Sequence, residues 1–187
     1  MNWHSIIDNI TQQLIYNPKQ PLLFNTGLFL FLFFIFISFY QLVYKKSKTR
    51  IVYLTIFSWF FYYKCGGLFF LLLILSTVVD FHLAGWIYRT ANQKKKTLLL
   101  LLSLTVNLGL LAYFKYTNFF IDIVNSFGNK PLAHLDIILP VGISFYTFQV
   151  LSYTIDIYRR QLKPAESILD FAFYISFFPH LVAGPIV

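Results

Sequence analysis

From Gln20 to Tyr44 the chain carries no charged side chain across twenty-five residues. A helix rises about 1.5 Å per residue, so roughly 20 apolar residues cross the hydrocarbon core of a bilayer. The pattern recurs downstream. Hydrophobic segments fall at Leu22–Val43, Ile51–Tyr63, Leu68–Tyr88, Thr97–Thr117, Ile137–Tyr158 and from Phe171 onward, and an amphipathic tail follows the fourth as far as Phe127. Composition agrees: 58 % of the 187 residues are hydrophobic, 21 % aromatic and only 12 % charged. A soluble domain carries about 25 % charged residues. Disorder, collagen, a coiled coil and an ordinary cytosolic enzyme are excluded. The expected fold class is all-α, a polytopic transmembrane helical bundle of about six hydrophobic segments with a broken helix near the C-terminal end.

One segment is short. Ile51–Tyr63 has 13 residues, about 20 Å as a helix. It either pinches the bilayer, extends into its flanks or re-enters behind other helices. Gly66 and Gly67 then permit a tight turn.

The net charge of +8 reads as a topology signal. Lys45, Lys46, Lys48 and Arg50 follow the first segment; Arg89, Lys94, Lys95 and Lys96 the third; Arg159, Arg160 and Lys163 the fifth. Eleven of the fifteen basic residues thus sit in three alternate loops. Cationic loops stay cytoplasmic. The expectation is a multi-pass protein of the inner (plasma) membrane, with six crossings and the N-terminus outside. Nucleic acid is not an expected partner, because the basic residues form short clusters between apolar runs rather than one solvated face. The single Cys65 excludes an intrachain disulfide framework and a Cys-rich metal site.

Residues 1–21 form a separate element. Trp3, Ile6, Ile7, Ile10 and Leu14 recur at helical spacing, with Ser5, Asp8, Asn9 and Gln12 opposite. This predicts an amphipathic helix on the outer interface, ended by Pro18 and Pro21. It lacks the basic leader and cleavage site of a signal peptide. Residues 22–187 read as one membrane domain.

Polar groups at membrane depth are costly and mark candidate sites. Tyr146, Gln149, Tyr153, Asp156 and Arg160 are spaced by three and four residues and make one polar stripe on an apolar helix. Either the stripe supplies interhelical hydrogen bonds and an Asp156–Arg160 i,i+4 ion pair, or it lines a substrate channel. Asp80 and His82 lie two apart, on different helix faces, which favours helix packing over a catalytic dyad. Phe177-Phe178-Pro179-His180 and Ala183-Gly184-Pro185 place two prolines and a glycine inside an apolar run. A helix broken there must be buried in protein or line a cavity. His180 is read as a packing residue, having no carboxylate or nucleophile near it in sequence. No metal-ligand spacing, phosphate-cradling loop or nucleophile elbow is present.

The stretch Ile138–Gln149, with Leu139-Pro140-Val141-Gly142 at its head, resembles a signature of the membrane-bound O-acyltransferase family, alginate O-acetyltransferase-like branch. Ser152–Arg159 and Asp170–Val187 continue it. Leu23-Phe24-Asn25, Ser76–Asp80, Asn107-Leu108-Gly109 and Tyr113–Phe120 are similar as well. The resemblance runs from about Leu23 to Val187. It implies a multi-helix enzyme with a tunnel through the bilayer. Such an enzyme takes an acyl group on the cytoplasmic side, from acetyl-CoA or another acyl thioester. It places that group on a hydroxyl of an exported polysaccharide or cell-wall polymer, often with accessory acetylation proteins. No tightly bound cofactor is implied. The family's catalytic histidine lies in the second half of the domain, beyond the Gly-Pro motif. This chain is therefore expected to be the N-terminal portion of the enzyme, inactive alone, with no catalytic residue of its own. Two other readings fit the residues: a transporter or channel component, and a non-catalytic scaffold of a polysaccharide export complex.

Overall fold

A computed structural model describes residues 15–17, 22, 24–127 and 132–183, with the last two by backbone alone. The expected N-terminal amphipathic helix, its closing prolines, Gly184 and Pro185 lie outside the described residues. Among the described residues every regular element is helical, in the order α1 (Gly27–Val43), α2 (Ser47–Gly66), α3 (Phe70–Arg89), α4 (Gln93–Leu111), α5 (Thr117–Phe127), α6 (Ile143–Tyr158), α7 (Ile168–Ser176) and α8 (Phe178–Ala183). Two helical runs, Ser47–Arg89 and Gln93–Phe127, are long and apolar enough to cross a membrane, and Gly27–Val43 is a shorter apolar helix. The chain divides into two compact units. One holds the residues up to Leu75 and those from Leu169 on; the other is Ser76–Ile168.

In the first unit α1 begins later than hydropathy suggests. Thr26 Oγ1 accepts from Phe29 N at 3.3 Å and caps the helix. Residues before it run along the end of α2: Leu22 N donates to Lys64 O at 3.2 Å, and the Cys65 thiol donates to Leu22 O at 2.7 Å. Of the three outcomes open to the short segment Ile51–Tyr63, extension into its flanks is the one found. α2 has 20 residues, about 30 Å, because Ser47–Arg50 and Lys64–Gly66 are helical too. Charged flanks made it look like loop in the sequence. Lys64 is in fact buried, and its Nζ donates to Ile15 O at 2.6 Å, so the charge is met by a carbonyl rather than by water. Gly67, at φ 62° and ψ −137°, then divides α2 from α3. A Cβ there would lie 2.7 Å from the Tyr16 ring, so only glycine fits.

The same unit is built around one phenylalanine. Phe24, Phe29, Phe33, Phe36, Phe57 and Phe61 surround Phe178 with ring centroids 5.2 to 6.5 Å away. These are edge-to-face and tilted distances at which aromatic pairs add to area burial. The Phe178 amide donates to Ser58 Oγ at 3.2 Å. The final helix starts at Ile168, not Phe171, and is interrupted at Phe177, the start of the Phe-Phe-Pro run. Pro179 sits in the first turn of α8, where its missing N–H costs nothing.

In the second unit α4 is capped by Asn92, whose Oδ1 accepts from Lys94 N at 2.9 Å and Lys95 N at 3.2 Å. The α4 helix continues through a π-helical turn, Ala112–Tyr116, into α5. The fifth hydrophobic segment was expected to be helical from Ile137. Its helix starts only at Ile143: Gly142 is left-handed at φ 71°, and Pro140 has no N–H to donate. Residues 132–139 form an irregular strap instead. Antiparallel packing joins α4 and α6. At one end Lys96 Nζ donates to Tyr158 O and Gln93 Nε2 to Tyr158 Oη; at the other Lys115 Nζ donates to Ser144 Oγ. Helix α3 runs antiparallel to α4 as well, since Ser76 meets Asn107 and Asp80 meets Ser103. The basic residues after α3, before α4 and after α6 therefore gather at one end of this unit.

Candidate functional site

The second unit holds most of the candidate residues. In α6, Tyr146 and Tyr153 are buried, Gln149 and Asp156 are half-buried, and Arg160 is exposed. The buried face of α6 packs on α4. Tyr153 Oη accepts from Ala165 N at 2.8 Å, which draws the chain after the helix back against it.

The stripe stops one turn early. Helix α6 ends at Tyr158, and Arg160 adopts φ 63°. Its amide donates to Ile157 O at 3.1 Å, and Gln161 N to Asp156 O at 2.9 Å. This is a Schellman closure with arginine where glycine usually stands. The Asp156–Arg160 ion pair that the spacing allowed is not formed. An i,i+4 pair needs both residues in the helix, and a left-handed residue points its side chain elsewhere. The Arg160 guanidinium lies 4.8 Å over the Tyr88 ring instead.

A second polar cluster escapes a reading one helix at a time. Asp80 is fully buried and accepts four hydrogen bonds from three side chains. Ser103 Oγ donates to its Oδ1 at 2.6 Å, Asn107 Nδ2 to Oδ2 at 2.8 Å and to Oδ1 at 3.0 Å, and Ser76 Oγ to Oδ2 at 3.4 Å. Ser76 also contacts Asn107 Oδ1 at 3.2 Å. A buried carboxylate is tolerated only when its oxygens are filled in this way. The Ser76–Asp80 and Asn107-Leu108-Gly109 stretches, quoted separately above, thus meet as one bolt between α3 and α4. Pairs at i,i+4 in two otherwise apolar helices, Ser76 with Asp80 and Ser103 with Asn107, were the available signal. His82 stands apart from this bolt: it is exposed, and its Nδ1 donates to Val78 O at 2.7 Å.

A groove of about 350 Å³ opens beside the ends of α3, lined by Phe81, His82, Trp86, Arg89, Pro164 and Glu166 among others. In the first unit His180 is exposed, its ring 5.2 Å from that of Phe177 and edge-on to it. No group of three His, Cys, Asp or Glu among the described residues could hold a metal ion.

The chain is 34 % identical over 173 residues to a protein of Pseudomonas aeruginosa named probable alginate O-acetylase AlgI, a match that covers 89 % of this chain. It is therefore similar to one part of that protein. The corresponding protein of Azotobacter vinelandii is 32 % identical over 173 residues. A Helicobacter pylori protein named peptidoglycan O-acetyltransferase is 34 % identical over 194 residues. The chain spans about a third of the length of the curated relatives it matches, between 33 and 37 % in these three. No protein-family model matches the chain. No solved structure matches it either.

Proposed function

We propose that this chain is the N-terminal part of a membrane-embedded O-acetyltransferase. Its substrates are an acyl thioester such as acetyl-CoA and a hydroxyl of an exported polysaccharide or cell-wall polymer. The observation that carries the reading is similarity across 89 % of the chain to relatives named for alginate and for peptidoglycan O-acetylation. Two apolar helical runs of spanning length support the membrane setting, and the basic residues gathered at one end of the second unit support a cytoplasmic end there.

The transfer forms a bond from the acceptor oxygen to the acetyl carbon and breaks the carbon–sulfur bond, and the hydroxyl proton passes through a general base to the departing thiolate. In this reading the base is a histidine beyond Val187, and His180 is a motif residue that supports the broken helix. The stripe Tyr146, Gln149, Tyr153 and Asp156 lines the path between donor and acceptor. Accessory acetylation proteins hand the acetyl group on to the polymer outside.

Disrupting the gene tests the reading. Alkali-releasable acetate on exported polysaccharide or cell wall falls sharply; unchanged acetate on both refutes it. In membranes supplied with radiolabelled acetyl-CoA, the full-length protein labels polymer and residues 1–187 alone do not. Asp156→Asn in the full-length protein lowers transfer, and wild-type rates would remove the stripe from the path.

A further inference from the structure

Helix α5 has an apolar face that no described residue of its own unit buries. Phe119, Phe120, Ile123, Val124 and Phe127 share one side, and no residue of the helix is buried. Phe127 is 88 % exposed. The opposite side is fully engaged. Asn118 and Asn125, two turns apart, each clamp the strap with a pair of hydrogen bonds. Asn118 Nδ2 donates to Leu135 O at 2.9 Å and its Oδ1 accepts from Leu135 N at 3.0 Å. Asn125 Nδ2 donates to Leu132 O at 2.9 Å and its Oδ1 accepts from Leu132 N at 2.6 Å. Between them Asp122 Oδ1 lies 2.6 Å from His134 Nε2. Each asparagine pairs with a backbone as a neighbouring strand would, so helix and strap form one two-layered hairpin.

We propose that this hairpin is an interfacial paddle, with the apolar face of α5 seated in phospholipid at the leaflet opposite the basic end. Three features name lipid as the occupant. From Thr97, past the basic first turn, α4 and the π turn together run 20 residues, about 30 Å, which matches the hydrocarbon thickness, so α5 emerges at the boundary. The π turn between them carries Tyr113, Lys115 and Tyr116, the residue types that sit at headgroup level. And Asp122 is the one ionisable group in α5, on the strap side and paired with His134, so the exposed face carries no charge. The hairpin lies at the Lys115–Ser144 end of the unit, away from Arg89, Lys96 and Arg160.

The inference rests on the membrane reading above, and the test separates the two. Photoreactive p-benzoylphenylalanine is placed singly at Phe120, at Ala133 in the strap and at Leu101 in the full-length protein, reconstituted in phospholipid nanodiscs and irradiated. Mass spectrometry then identifies the adducts. Leu101 is a half-exposed side chain in mid-α4 and reports insertion itself. Lipid adducts at Phe120 and Leu101 but not at Ala133 are expected. A Phe120 adduct to protein, or no adduct, with lipid captured at Leu101, overturns the paddle alone. Lipid at Ala133 as well overturns the one-sided seating. Absence of lipid from both Leu101 and Phe120 overturns the membrane reading and the paddle with it. Circular dichroism and a monodisperse elution profile confirm that each variant is folded.

Discussion

The two units solve the same problem by different means. In the first, α1, α2 and α8 are joined by phenylalanine rings around Phe178. In the second, α3 is joined to α4 by a buried carboxylate and its donors, and α5 to its strap by asparagine clamps. In the membrane setting proposed above, lipid tails are as apolar as leucine, so hydrophobicity gives little reason for helices to prefer each other over lipid. Shape remains, and so does direction. The aromatic unit uses shape: many rings share the load and no single contact fixes the register. The polar unit uses direction: a few bonds fix which residue faces which. The first tolerates trimming of its rim and not of its centre, whereas the second tolerates paired replacement and not single loss.

Breaking the centre of the aromatic unit has the largest effect. Phe178→Ala leaves a void among six rings and costs about 3–5 kcal/mol. Phe178→Leu costs less than half of that. Thermal unfolding in detergent measures both; equal losses would show that ring shape does not matter there.

In the polar unit Asn107→Leu strips two hydrogen bonds from a buried carboxylate and costs about 3 kcal/mol. The double variant Asp80→Leu with Asn107→Leu recovers part of that loss, because no buried charge remains, although the Ser76 and Ser103 hydroxyls lose their acceptor. A double variant as unstable as the single one would contradict a directional bolt.

Next come two left-handed positions, one in each unit. Gly67→Ala meets both the Tyr16 ring at 2.7 Å and an unfavourable φ, at a cost of about 2 kcal/mol. Arg160→Gly has the smallest effect. It relieves the left-handed strain of about 1 kcal/mol and gives up a stacking contact of similar size, so stability stays within about 1 kcal/mol of the parent. A large loss at Arg160→Gly would give the Tyr88 contact an importance that geometry does not.

How much of this was legible in the sequence differs along the same line. Apolar runs and helical fold class are properties of periodicity within a helix, and they were readable. So was the break at Phe177-Phe178-Pro179. Helix ends were not. The Lys64–Gly66 stretch looked like a loop because a lone lysine is judged as if in water, whereas a carbonyl 49 residues away satisfies it. Hydropathy starts α6 six residues early because Ile137 and Ile138 are as apolar as a helix core, whereas Pro140, left-handed Gly142 and the asparagine clamps on Leu132 and Leu135 keep that stretch out of the helix. Tyr146, Gln149, Tyr153 and Asp156 lie within α6, whereas Arg160 falls beyond a helix stop that spacing does not encode. The Asp80 bolt stayed hidden because its donors come from another helix, and i,i+4 arithmetic stops at the end of each helix.

Phe178 also sets a clock. Its amide reaches Ser58 across 120 residues of chain, and ribosomes add residues at about 5–20 per second. The pocket of rings on α1 and α2 is therefore complete roughly 6–24 s before the ring that fills it has been made. For that interval the newborn helices present an unfilled aromatic notch to whatever surrounds them, and the unit closes only when its last helix arrives.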